Sequence, residues 1–525
     1  MNTVALLALL AMTQQIPVDT AAMDAHLRFL ASDLLEGRAP ATRGGRLAAE
    51  YVAAQFKALG LEPAAANGSY FQPVALVGMT PQPAFAWGKT GAPPDSLAFR
   101  DAFVAWGERP EADIAASGEV VFVGYGIRAP EWQWDDYKGL DLHDKVLLML
   151  VNDPGLVDST IFLGKTLTYY GRWTYKLEEA ARHGATGAIL IHTTESATYP
   201  WEVVRGSWSV EQFKLDQPQS PSLAFAAWVT EGSARTALVK AGFNLDSLTR
   251  SAARRDFRPM ATGVQVSVRV QSALRRVLSE NVVARLPGRD PKRTAEAVLI
   301  TSHWDHKGIG PAIRGDSIYN GAEDNASGIA ATLGVAKALT QLPRPARSIL
   351  FVATTAEECG LLGSEAYVQH PLIPLAQTAA VLNLDVTNVR GLTRDIGARG
   401  GDRSSLGPVF ETAAQAESLV VESEPDVRGS FFRSDHSPFA RAGVPALSIY
   451  AGDDFVGRPK GWGEEQENVY NQQRYHQPSD EYLPTFRFAG MAQEVRVTVR
   501  VARAVANGPN LPRWLPNSEF QRPQP

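Results

Sequence analysis

The chain has 525 residues, 45% hydrophobic and 20% charged, with a net charge of -5 from 51 basic and 56 acidic side chains. That length exceeds one ordinary core and predicts at least two domains. No basic run points to nucleic acid and no acidic tail to a disordered partner segment, while the single cysteine, Cys359, excludes an intrachain disulfide and an all-cysteine zinc site.

Taken in chain order, Val4 to Met12 is an apolar run of signal-peptide length, too short to span a bilayer. It predicts a secreted or periplasmic protein with residues 1–18 as the signal. A cytoplasmic protein is the alternative, because no Lys or Arg precedes the run and no clean cleavage site follows it. No other stretch is apolar enough for a transmembrane helix. Residues 20–62 read as helical, with His26, Phe29 and Leu30 as an i, i+3, i+4 stripe, a break at Glu36 to Pro40, and a second helix over 46–59 closed by Gly60.

Residues 63–110 are rich in Pro and Gly and give no clear pattern. Strands are then expected at 119–125 and 145–151, a helix at 173–183 stopped by Gly184, and strands at 188–191 and 264–270. This predicts a compact α/β insert over 111–262, between an N-terminal part at 19–110 and a main domain at 263–507. In the main domain buried strands alternate with helices: strands at 297–301, 348–354, 379–384 and 446–450, helices at 327–339, 408–416 and 488–505. Continuous apolar strands separated by helices predict a largely parallel sheet covered on both faces. Residues 508–525 read as an extended tail.

Three polar segments follow directly on predicted buried strands: Ser302-His303-Trp304-Asp305, Glu357-Glu358, and Asp385. In open α/β sheets the carboxyl ends of strands build the site, so three segments delivering ligand-type residues to one edge outweigh any single motif. Asp324 lies in Gly321-Ala322-Glu323-Asp324-Asn325-Ala326-Ser327-Gly328, where a carboxylate could bridge two cations or the loop could simply cap the next helix. Glu357 and Glu358 are adjacent, so one can ligate while the other serves as a base; two acids complementing a helix start is the plainer reading. Asp385 ends an apolar strand and needs a partner, for which a cation is the simplest choice. Taken alone, His476 reads as a surface residue of a polar loop, Asp453 and Asp454 as a solvated turn, and 461–474 as a surface loop. Cys359 reads as packing.

These residues, with Ser434-Asp435-His436 and Tyr475-His476, resemble the M28 family of zinc peptidases over about 280–507 and the helical start. The insert, with Val-Phe-Val-Gly-Tyr-Gly-Ile at 121–127, is similar to a protease-associated (PA) domain. The resemblance implies a phosphorylase/hydrolase-like three-layer α/β/α sandwich with a smaller inserted PA-like α/β domain. It implies two zinc ions bridged by Asp324, one completed by His303 and Asp385 and the other by Glu358 and His476. Glu357 would be the general base, Tyr475 would hydrogen-bond the developing oxyanion, Asp305 would stand behind His303, and Arg433 would touch substrate or form a structural ion pair. It also implies a cis peptide at Asp324-Asn325. The expected activity is removal of N-terminal residues from peptides. Alternatives are a carboxypeptidase or small-molecule amide hydrolase on the same frame, or a receptor-like binding protein without catalysis.

Overall fold

Asp19 opens the first helix, Thr20–Leu30, by accepting the Ala22 N–H, and Thr42 opens a second, Arg43–Ala58, by accepting the Gly45 N–H. Gly60, at φ 75°, lets the chain turn away after it. The computed structural model describes residues 16–217, 222–422, 426–516 and 518–522; the expected signal segment therefore lies almost wholly outside the described residues. In the first helix the buried face is Met23, Leu27 and Leu30, while Phe29 is exposed. The expected stripe through His26 and Phe29 was thus one step off, because the face follows the i, i+4 pair Met23 and Leu27.

The chain divides into two units. The larger comprises Met1–Val74, Leu278–Glu424 and Arg433–Pro525. Its sheet runs in the order Val420–Val421, Asp395–Arg399, Ala446–Ala451, Thr378–Leu384, Ala297–His303, Ser348–Thr354, then residues 282–286 of the long strand Met260–Leu286. The middle pairings are parallel, and the strands 446–451 against 395–399 and 348–354 against 282–286 are antiparallel. Every residue of Ala297–His303, Ser348–Thr354 and Thr378–Leu384 is buried, so both faces of the sheet are covered, as their unbroken apolar runs require. Helices Thr20–Leu30, Ser327–Thr340 and Ala489–Asn507 pack on one another within the core built on this sheet. The last segment is extended but docked, since Trp514 bridges to Ser404 and Phe520 is buried against it. It is not a free tail, because its two aromatic rings supply the apolar surface that holds it down.

The smaller unit comprises Ala75–Val277 and Pro425–Phe432. Residues 260–271 pair with Asp113–Phe122, followed by Val146–Leu150, Gly187–His192, Phe225–Thr230 and Phe103–Gly107. It is wider than the expected 111–262. Phe103–Gly107 pairs with Phe225–Thr230, and 264–271 with Asp113–Val120, so segments on both sides of the expected bounds are committed to this sheet. The Pro-rich stretch hides a 19-residue strand, Phe71–Lys89, whose mixed composition masked its period. No helix among the described residues is long and apolar enough to cross a membrane.

Candidate metal centre

The site grows from the carboxyl ends of three neighbouring parallel strands in the larger unit. His303 is the last residue of its strand, Glu357 and Glu358 follow Thr354 in a turn, and Asp385 follows Leu384. Glu357 and Glu358 do not start a helix; the next one opens only at Leu362. Asp324 precedes the helix Ser327–Thr340, and the peptide between Asp324 and Asn325 is cis. Gly321, at φ 57°, is needed there, since a Cβ would lie 2.1 Å from the Asp324 carbonyl oxygen. Asn325 locks the turn to the next strand: its Oδ1 accepts the N–H groups of Gly328 and Val386, and its Nδ2 donates to the Leu384 carbonyl.

Asp324 stands between two imidazoles. His303 Nε2 is 3.2 Å from Oδ1 and His476 Nε2 is 3.2 Å from Oδ2. His303 Nε2 is also 3.3 Å from Asp385 Oδ1, and His476 Nε2 is 3.0 Å from Glu358 Oε2. Glu357 Oε2 stands farther off, 3.9 Å from His303. Two ligands of a tetrahedral zinc, each at the usual bond length, sit roughly 3.3 Å apart. The four closer pairs have that spacing, so the donor set fits two cations sharing Asp324. The charge fits too: Asp324, Asp385, Glu357 and Glu358 are four buried or nearly buried carboxylates, matched in sign and number by two divalent ions. Ligand-type atoms also converge in the groups His303, Glu357, Asp385 and His306, Asp324, Glu358.

The electrostatics follow from that crowding. Burial pushes the Glu357 carboxyl well above its ordinary range, helped by Asp385 and Glu358, with His303 pulling the other way. Burial would also raise Glu358, but His476, Lys307 and His306 outweigh it and hold it well below that range. Burial opposes protonation of His303, and the carboxylates of Glu357 and Asp385 overcome it. Asp305 is pushed up to about 7, chiefly by burial. Its carboxylate lies 3.9 Å from His303 Nδ1, whose nearer partner is the Asp305 carbonyl at 3.1 Å, and its Oδ1 accepts the Glu357 N–H at 3.2 Å.

Residues around the centre hold it in place. Ser434 Oγ donates to Asp385 Oδ2 at 2.6 Å and accepts from Asn383 Nδ2. Tyr475 stacks on His476 with ring centroids 3.8 Å apart. Tyr475 is 41% exposed, yet partial loss of hydration beside the centre, with Asp324, Glu358 and Glu357, holds its phenol above its ordinary range, and the Arg433 guanidinium pulls against them.

Several contributors gave no clear sign in the sequence. The polar stretch 461–474 is a helix, Trp462–Gln473, followed by Arg474, and not a surface loop. Arg474 pairs with Glu323 at 2.6 Å and Asp480 at 3.3 Å, and Arg390 pairs with the other Glu323 oxygen at 2.5 Å. Arg38, almost fully buried, donates to the carbonyls of Leu30, Trp304, Asn320 and Gly321 and so ties the N-terminal helices to two site loops. The unpaired carbonyls it serves could not be read from sequence. His306 and Lys307 both meet Glu358, at 2.6 and 2.9 Å; the only signal was a second imidazole in the His303 segment.

Residues 281–485 match the model of peptidase family M28. That stretch carries every expected ligand from His303 to His476, so the likeness to the family lies where the centre is built. Similar relatives include leupeptin-inactivating enzyme 1 of Streptomyces exfoliatus, 29% identical over 35% of this chain and 39% of that protein. A probable leucine aminopeptidase 2 of Aspergillus oryzae is 30% identical over 42% of this chain and 43% of its own length. Aminopeptidase YwaD of Bacillus subtilis is 28% identical over 38% and 39%. The chain thus spans about two fifths of the length of the curated relatives it matches. Among solved structures, an aminopeptidase from Aneurinibacillus sp. strain AM-1 shares the fold with a TM-score of 0.53, 20% identity, and coverage of 97% of this chain and 98% of that one.

Proposed function

We propose that this chain is a two-zinc exopeptidase of the M28 type that removes N-terminal residues from peptides, with Glu357 as general base. The observation that carries the reading is Asp324, whose two oxygens each face an imidazole that also meets another carboxylate. His303, Asp324 and Asp385 would hold one zinc, and Asp324, Glu358 and His476 the other. When bound, such a pair supplies Lewis acidity and makes water a nucleophile near neutral pH. Several matched relatives are named aminopeptidases, which supports the direction of attack on the peptide.

The chain's own residues supply the rest. Glu357 belongs to neither ligand set by its spacing, and its raised basicity suits a group that takes a proton from attacking water and returns one to the leaving amine. Asp305 fixes Glu357 through its backbone N–H and backs His303. Tyr475, placed by its stack on His476, would donate its O–H to the carbonyl oxygen as charge develops there. Arg433, whose charge reaches Tyr475, would contact substrate. The smaller unit is read as a PA-like module and the protein as exported.

The test is amino-acid release from one set of short peptides, supplied free, N-acetylated and C-amidated, by the zinc-loaded full chain. Loss of cleavage on acetylation alone is the expected result. Loss on amidation alone would make it a carboxypeptidase, and release from none of them would overturn the peptidase reading.

A further inference from the structure

Glu358 is the most heavily contacted carboxylate of the centre. Its Oε2 faces His476 at 3.0 Å and Lys307 Nζ at 2.9 Å, and its Oε1 faces His306 Nδ1 at 2.6 Å. His306 is almost fully buried, three residues after His303, and its ring edge approaches that of His476 at a centroid distance of 5.8 Å. His306 Nδ1 and Glu358 Oε1 are both buried and meet as a close ion-pair contact; neither makes an aligned hydrogen bond among the described residues.

Spacing separates His306 from the ligand pairs. Those pairs lie 3.0 to 3.3 Å apart, the spacing of atoms that share an ion. The His306 pair, at 2.6 Å, is too close for two ligands of one tetrahedral ion and has the separation of a direct contact between the imidazole and the carboxylate. The backbone also fixes this imidazole. The His306 N–H donates to the Arg38 carbonyl, and Gly321 makes room for the ring, since a Cβ there would lie 2.5 Å from His306 Cγ.

We propose that His306 is a positioning residue for the second metal site: it holds Glu358 Oε1 and thereby presents Oε2 to the position shared with His476 and Asp324. This rests on the two-metal reading above. A carboxylate free to rotate about its last bond presents either oxygen or both, so removing its anchor weakens the ion it holds, and such partners commonly contribute 10–100-fold to metal affinity.

The experiment is zinc titration of the full chain in competition with a chelating dye, comparing wild type, His306→Ala and His306→Asn. Asn places an amide N–H near the position of Nδ1. In His306→Ala one of the two equivalents should lose about 10–100-fold in affinity while the other keeps its value, and His306→Asn should regain most of the loss. Equal affinities in wild type and His306→Ala would overturn the proposal. So would a His306→Ala chain limited to one zinc at saturation and not rescued by Asn, which would make His306 a ligand. Two equivalents in wild type without peptide cleavage would overturn the peptidase reading and leave this one standing; fewer than two in wild type would overturn both.

Discussion

The Asp480 carboxylate accepts the backbone N–H of Asp324 at 3.1 Å, and with its other oxygen that of Glu323 at the same distance. Asp480 lies four residues after His476, so one short segment supplies an imidazole to the centre and clamps the turn that carries the shared carboxylate. Asp480 is buried and is itself held by Arg474.

Asp480→Ala would leave two buried N–H groups without their acceptor and take one of two carboxylates from Arg474. We expect a loss of about 3 kcal/mol in stability of the metal-free chain, read as a lower urea midpoint, and a weaker hold on zinc. An unchanged midpoint would mean that the turn holds itself.

Arg38→Met should be at least as damaging, because four carbonyls lose their donors at once. A loss of roughly 3–5 kcal/mol is expected for breaking such a buried charged network. Arg38→Lys should recover only part of it, since an ammonium cannot span the same fork of carbonyls. Full recovery by Lys would show that charge alone matters there.

Glu357→Gln preserves shape and removes the proton acceptor. Turnover should fall by about 10²–10⁴-fold, with zinc binding retained because Glu357 stands outside both ligand sets. Measured kcat within a few-fold of wild type would remove Glu357 from the base role.

Glu494 offers a pH test away from the centre. Buried in the helix Ala489–Asn507, its carboxyl is pushed up to about 8, chiefly by burial, while its Oε2 accepts the Asn388 N–H. The folded value lies above the ordinary 4.5. Its contribution is therefore complete below about 4.5 and is lost as pH rises through about 8. Glu494→Gln should flatten the fall in stability across that window and raise the midpoint of urea unfolding at pH 8 relative to wild type. A steeper fall in the variant would contradict the buried neutral carboxyl.

The strands that carry His303, Glu357 and Asp385 were legible because each is a continuous apolar run ending in a polar residue, a pattern set by burial on both faces. The Asp324 loop could be read either as a bridge between cations or as a helix cap, and His476 was recognisable only through family resemblance. Arg38, Arg474 and His306 were not legible as parts of the site. Their roles depend on which distant carbonyls and carboxylates the fold leaves without partners, and no local period encodes that. The strand Phe71–Lys89 escaped for a different reason: three prolines among its 19 residues broke the pattern that marks a strand.

The most direct measurement is the zinc content of the purified full chain after exhaustive dialysis against metal-free buffer, beside the same chain carrying Asp324→Ala. Two equivalents in wild type, with both weakened together in the variant, are expected if the two oxygens of Asp324 serve two ions. No bound zinc in wild type, or loss of only one equivalent in the variant with the other unaffected, would contradict a centre built on a shared carboxylate.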